Sequence, residues 1–328
     1  MTPPRSLVHT AVPMALVLLL VAPVARADPG RDGTDEPRAL AVIDRAAAAG
    51  TLSYRGTQVV GVLTQSGPLT QVREVSRDAV GAGAGTGAAG GAAALAALVA
   101  GFELTSDGTG WVAGRLADVV VARRAGRVAG RLWIDRETGL ALRRELLDPA
   151  GRTVRVWALV RIDVTGRTGL VPALVPPLGG EAAPVAVDAD RLRRDGWPCR
   201  DDLPVGFRLV DARYTDAVRS TPAVHLTYTD GLSTLSVFLQ PGRLEEAGLT
   251  GFRERVWGGL RIHSGDGWPV RLVWQDGDTV VTVVSDAPEE TLREAVAAVP
   301  GRRAERDEGL LSALGRGLRE VVELLPGL

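Results

Sequence analysis

Val154-Arg155-Val156-Trp157-Ala158-Leu159-Val160-Arg161-Ile162-Asp163-Val164 is the stretch that decides the fold class. Val154, Val156, Ala158, Val160, Ile162 and Val164 recur at every second position. Arg155, Trp157, Leu159, Arg161 and Asp163 fall between them. Successive side chains of an extended strand point to opposite faces, so this alternation predicts a long β-strand with one apolar and one wetter face. Long antiparallel strands of that kind suit a strongly curved sheet wrapped over helices. The expected class is α+β, mostly β, with a curved antiparallel sheet followed by a smaller α+β domain.

Upstream, the chain from Phe102 reads as a meander punctuated at Asp107-Gly108, Ala125-Gly126 and Glu137-Thr138-Gly139. Residues 81–94 are a low-complexity Gly/Ala insertion without periodicity, with a short helix expected over Ala92 to Ala100. Leu52 to Thr64 alternates as a strand, with Gln58 as an imperfection on its apolar side. Gly67-Pro68 marks a turn into a partner strand over Leu69 to Val75. Before these, Leu40, Ile43 and Ala47 have helical spacing from Arg38 to Ala49, with Asp35 or Thr34 as cap and Gly50 as stop. Residues 1–27 read as a signal peptide: Arg5, an apolar run from Ala11 to Ala22, and Ala25-Arg26-Ala27 as the cleavage site. The run is too short and Pro-interrupted for a comfortable membrane helix, and no later stretch is long enough to span a bilayer. An exported chain, placed in the periplasm or cell envelope outside the cytoplasmic membrane, is the expectation.

Downstream, residues 169–186 are a Pro/Gly-rich linker containing Val175-Pro176-Pro177-Leu178-Gly179-Gly180. They separate a larger domain over 28–168 from a smaller one over 187–301. In the smaller domain, strands are expected over Val224 to Thr229, Leu232 to Gln240, Gly259 to His263, Pro269 to Gln275 and Thr279 to Val284. Asp230-Gly231 and Asp276-Gly277 read as hairpin turns. Asp286 with Glu289 reads as an N-cap signature for a helix running to Val299. Residues 302–328 read as an amphipathic tail helix broken by Gly315 and Gly317.

Composition excludes more than it identifies. The 38 basic residues are all Arg against 39 acidic ones, so no basic field exists for nucleic acid. Removing Arg5 and Arg26 with the signal peptide takes the net charge from −1 to −3. One Cys, Cys199, excludes an intramolecular disulfide framework, and three His leave little for a metal site. There is no nucleophile elbow, zinc-protease helix motif, calcium loop or phosphate loop, so no cofactor is expected. His225 and His263 lie in strands and read as wall residues, and Asp201-Asp202 and Glu289-Glu290 as capping or solvated pairs.

Leu132-Trp133-Ile134-Asp135-Arg136-Glu137-Thr138-Gly139-Leu140-Ala141-Leu142-Arg143-Arg144-Glu145-Leu146-Leu147-Asp148-Pro149-Ala150-Gly151 resembles the MucB/RseB family, with Ala141 where the family has Pro. Val112-Ala113-Gly114-Arg115 resembles a further family strand. In the second domain, Leu203-Pro204-Val205-Gly206-Phe207 and Tyr228-Thr229-Asp230-Gly231-Leu232, followed by Leu235-Ser236-Val237-Phe238, resemble two more of its motifs. The resemblance implies a lipoprotein-carrier-like half-barrel with an apolar cavity, then a smaller domain of the RseB type. It implies a non-enzymatic exported regulator that binds the external segment of a membrane-anchored anti-sigma factor. That segment is shielded from proteolysis until a lipid or lipoprotein stress signal releases the regulator. Trp133, Leu140, Val154, Val156 and Val160 are the candidates for lining a lipid cavity, and Tyr228, Asp230, Leu232 and Phe238 for partner binding. A homo-oligomer is compatible with this reading. The alternative is a lipid or lipoprotein carrier without a sigma-factor partner.

Overall fold

The computed structural model describes residues 35–49, 52–64, 67–77, 91–167, 189–215 and 223–299. The expectations placed on 1–27, on most of 81–94, on 169–186 and on 302–328 lie outside the described residues. Two antiparallel sheets and a few short helices account for the fold. No helix among the described residues is long and apolar enough to cross a membrane.

The first sheet has seven strands: β1 (Leu52–Thr64), β2 (Gly67–Arg77), β3 (Glu103–Val112), β4 (Arg115–Arg124), β5 (Arg127–Asp135), β6 (Ala141–Leu147) and β7 (Thr153–Arg167). Their order is β2-β1-β7-β6-β5-β4-β3, a meander in which the last strand returns beside the first. The sheet is open, with β2 and β3 at its edges. Helices α1 (Asp35–Ala48) and α2 (Gly91–Gly101) supply Ala39, Val42, Ile43 and Leu98 to a core with Val120, Ala122, Leu132, Ile134 and Leu146. Trp133, Val119, Leu140, Leu142 and Leu159 build a second cluster with Ala49 and Leu52.

The deciding stretch is a strand, but its alternation is interrupted. Gln58 pairs with Leu159 and Thr57 with Arg161, so Val160 is the extra residue of a β-bulge. One inserted residue reverses the facing of everything beyond it. Val156 and Ala158 therefore share one face, whereas Ile162 and Val164 join Trp157 and Leu159 on the other. Val160 itself is 42% exposed. Opposite the bulge, a Cβ on Gly56 would lie 2.4 Å from the Arg161 carbonyl oxygen, so only glycine fits.

Asp107-Gly108 is also a bulge, inside β3, rather than a turn. The chain reverses instead at Ala113-Gly114, both with positive φ, so Val112-Ala113-Gly114-Arg115 is a hairpin end and not a strand. Gly67 and Pro68 already pair with Thr64 and Leu63, which places both in β2.

The second sheet runs β12-β13-β14-β15-β11-β10-β9-β8. Its strands are β8 (Asp202–Leu203), β9 (Phe207–Thr215), β10 (Ala223–Thr229), β11 (Thr234–Pro241), β12 (Phe252–Trp257), β13 (Leu260–Gly265), β14 (Val270–Asp276) and β15 (Thr279–Ser285). Helices α3 (Ala189–Arg194) and α4 (Glu289–Val296) cover it through Leu192, Leu292, Ala295 and Val296, over a core holding Phe207, Tyr228, Leu235 and Trp274. Strands β9 and β12 carry no clean alternation and were not expected. Asp230-Gly231 is part of a four-residue loop, since Thr229 pairs with Thr234. Pro288, not Asp286, stands at the start of α4.

Candidate functional site: the seam between the sheets

The Asp230–Ser233 loop is built by its own side chains. Asp230 Oδ1 accepts hydrogen bonds from the backbone N–H of Leu232 (2.9 Å) and of Ser233 (2.7 Å). Thr229 Oγ1 donates to the Ser233 carbonyl and accepts from the Gly231 N–H. Short polar side chains that bond the backbone ahead of them favour turns over ladder pairing. The loop so formed projects Gly231 and Leu232 into the first domain.

There the fit is close. Leu232 is 2% exposed and belongs to the same cluster as Leu98, Val120, Ile134 and Leu146. A Cβ on Gly130 of β5 would fall 2.9 Å from Leu232 Cδ1, so the strand makes room for the incoming leucine by omitting a side chain. Gly231 has φ +91°, and a Cβ there would lie 2.4–2.5 Å from the backbone N and Cα of Leu98.

Two buried carboxylates flank this contact. Asp230 Oδ2 pairs with Arg124 Nη1 at 3.3 Å, and the Arg124 guanidinium lies 3.8 Å over the Phe102 ring. Burial holds the Asp230 carboxyl above its usual range, with Arg124 pulling the other way. Asp286 Oδ1 accepts from the Thr234 N–H at 2.6 Å. Its Oδ2 accepts from Arg144 Nη2 at 2.8 Å and faces Arg155 Nη1 at 3.7 Å. Arg144 and Arg155 come from β6 and β7 of the first sheet. Burial lowers Arg155 to about 10, Asp286 opposing and the like charge of Arg144 adding to the shift. The seam is therefore an apolar plug between two ion-pair clusters, and removing one member of such a buried pair costs about 3–5 kcal/mol.

The sequence-derived candidates scatter across this framework. Asp230 and Leu232 meet at the seam. Tyr228 lies in the second core and donates to the Arg200 carbonyl at 3.0 Å. Phe238 stacks on His225 with ring centroids 4.3 Å apart. All four are buried, so direct contact of a partner with them requires the seam or the sheet to open. Of the lipid-cavity candidates, Trp133 and Leu140 sit in packed core, Val156 is buried on β7, Val154 is half-buried beside the helix-side cluster, and Val160 is exposed.

Sequence reasoning gave no site role to Arg124, Arg144, Arg155 or Gly130, and read Asp286 as a helix cap. Arg155 occupies the polar half of an alternating strand, where a solvated role is the ordinary reading. Gly130, a glycine inside a strand pattern, was the one available signal of close approach. Burial, then the charge of Arg213, pushes the largely buried His225 imidazole down to about 3, so it is neutral and stacked. No group of three or more His, Cys, Asp or Glu able to hold a metal occurs among the described residues.

Two open antiparallel sheets, each with a core of its own, thus meet at a buried seam. Family models described as the MucB/RseB N-terminal domain and the MucB/RseB C-terminal domain match residues 71–178 and 192–300, and the chain belongs to the MucB/RseB family. It is 31% identical over 196 residues to the sigma factor AlgU regulatory protein MucB of Pseudomonas aeruginosa, covering 58% of each chain. To the sigma-E factor regulatory protein RseB of Haemophilus influenzae it is 29% identical over 177 residues, 51% of this chain and 52% of that one. The Escherichia coli RseB matches at 30% over 145 residues, covering 42% and 43%. The aligned stretches thus span about half the length of these curated relatives. Among solved structures, a crystal structure of MucB aligns at 23% identity and TM-score 0.47, over 79% of this chain and 97% of that one. A complex of Pseudomonas aeruginosa MucA and MucB aligns at 23% and 0.43 with the same coverage.

Proposed function

We propose that this protein is an exported, non-enzymatic regulator of an envelope-stress sigma factor. It binds the external segment of a membrane-anchored anti-sigma factor and shields it from proteolysis until a lipid or lipoprotein signal releases it. The observation that carries the reading is the pair of family matches, one on each sheet and in family order. The relatives named above are themselves sigma-factor regulatory proteins, and one solved relative is a complex with MucA.

On this reading the chain divides at 28–168 and 187–301, behind a signal peptide over 1–27, and acts in the periplasm or envelope. The first sheet bends as a half-barrel over α1 and α2. Of the five candidates Val154, against the helix-side cluster, and Val156, buried on the same strand, stand nearest the lipid, while Trp133 and Leu140 stay in packed core and Val160 at the surface. The second domain, ordered by Tyr228, Asp230, Leu232 and Phe238, contributes to partner binding. A switch of this kind needs the two ligands to prefer different arrangements of the protein, since a ligand shifts an equilibrium only by its differential affinity. On this reading the seam, closed as observed, is the element that opens in the alternative arrangement.

The test is calorimetry of the full chain with the external segment of a membrane-anchored anti-sigma factor, the periplasmic part of MucA serving as the probe, with and without an acylated lipopeptide. Saturable binding that the lipopeptide weakens is the expected result. A chain that binds the lipopeptide but not the segment is a lipid carrier, and the regulatory reading is then lost.

A further inference from the structure

Among the described residues, the strands at sheet edges are β2 and β3 in the first sheet and β8 and β12 in the second. An edge strand offers unpaired backbone N–H and C=O groups to any extended chain, and proteins guard such edges. All but β2 are guarded throughout. β3 is broken by the bulge at Asp107-Gly108. β8 is only two residues long. β12 carries Arg253, Glu254 and Arg255 in a row.

β2 is built the other way. It pairs with β1 from Gly67 to Arg77 without a bulge. From Gly67 to Val72 it has no charged residue. Leu69 is 48% and Val72 45% exposed, and the pleat puts them on opposite faces. Its guard in that half, Pro68, stands next to the end of the strand, where a missing donor interrupts the least pairing.

The strand is also its own complement. Val72 lies midway between Gly67 and Arg77. A second copy laid antiparallel about a two-fold axis at Val72 pairs the whole strand and keeps equivalent faces together. In that register Val72 faces Val72, Leu69 faces Val75, Thr70 faces Glu74 and Gln71 faces Arg73. Apolar meets apolar, each of these charges meets a neutral hydrogen-bonding group, and no like charges are opposed. Moving the axis to Arg73 sets two Arg face to face. Moving it to Gln71 sets Leu69 against Arg73 and Pro68 against Glu74.

We propose that β2 is a homodimer interface, through which two copies of this chain pair edge to edge and join their first sheets into one. An interface of one strand pair and its flanking side chains is small, so association in the micromolar range is expected. The interface is independent of the sigma-factor reading.

Sedimentation velocity of the full chain across the micromolar range tests it. The wild type is expected to pass from monomer to dimer as concentration rises. Because Val72 meets its own copy at the axis, Val72→Lys opposes two ammonium groups and Val72→Glu two carboxylates. Each variant alone is expected to associate about 10-fold more weakly than the wild type, or weaker still. An equimolar mixture of the two is expected to regain the dimer, since Lys then faces Glu. Val72 is half exposed, so both variants fold, and an unchanged Tm checks this. The proposal is overturned if the wild type stays monomeric, if either variant dimerises as the wild type does, or if the mixture stays monomeric.

Discussion

Gly231 is held by two constraints at once, a positive φ and the backbone of Leu98 within contact of its missing side chain. The helix backbone has no rotamer with which to yield, so a methyl group must push α2 or the loop aside. Gly231→Ala is expected to cost about 3 kcal/mol, read as a lowered urea midpoint. The same change at Gly108, where nothing lies within 4 Å of a new Cβ, meets only the positive-φ strain and is expected to cost about 1 kcal/mol. At His225 the effect depends on pH. Its folded pKa of about 3 lies below the ordinary value of 6.5, so the unfolded chain takes up the proton first. The stability this residue supports is complete above about pH 6.5 and is lost as pH falls from there towards 3, at no more than about 1.4 kcal/mol per unit. His225→Phe preserves a stacked ring on Phe238. Its denaturation midpoint is expected to fall less steeply than the wild type's between pH 6.5 and 4.

Strand β7 shows what was legible in the sequence and where legibility stopped. Its apolar alternation announced a strand because period two is a local property of the pleat. The bulge at Val160 is not local: it is set by how β1 pairs with β7, and Gly56, its permissive partner, is some hundred residues away in the chain. Val156→Asp is therefore expected to cost about 3 kcal/mol or more through burial of an unpaired charge, whereas Val160→Asp should stay within about 0.5 kcal/mol. Equal losses for the two variants in a denaturant titration would falsify the bulge register. The same distinction separates the turns. Ala125-Gly126 and Gly139 were readable from residue type, while Ala113-Gly114 was hidden behind the stronger-looking Asp107-Gly108. Asp286 illustrates the site. Asp, Pro and Glu in succession match a helix start, and the chain nearby does begin a helix. The carboxylate was recruited instead by Arg144 from the other domain, a pairing between residues 142 apart that no local pattern encodes.

At the scale of the molecule, the seam couples two sheets that each have a core of their own. Asp286→Asn keeps the shape and an acceptor for the Thr234 N–H but leaves Arg144 and Arg155 without a counter-charge. A loss of about 3–5 kcal/mol at the seam is expected. Calorimetry is the measurement that shows it: one cooperative transition in the wild type, two resolved transitions in the variant as the domains melt separately. A single, merely shifted transition would mean that the apolar plug at Leu232 suffices to join them.

That plug has a consequence for how the protein is made. Leu232 belongs to the core of a domain whose own strands end at Arg167. A chain emerging from its N-terminus presents every strand of the first sheet well before the residue that seals it has left the ribosome. During that interval the socket formed by Gly130, Leu98 and Ile134 is an uncovered apolar surface, the feature that draws chaperones and invites association with other nascent chains. Completion of the first core thus waits on the second sheet, and slowing synthesis between Arg167 and Leu232 is expected to lower the yield of folded protein.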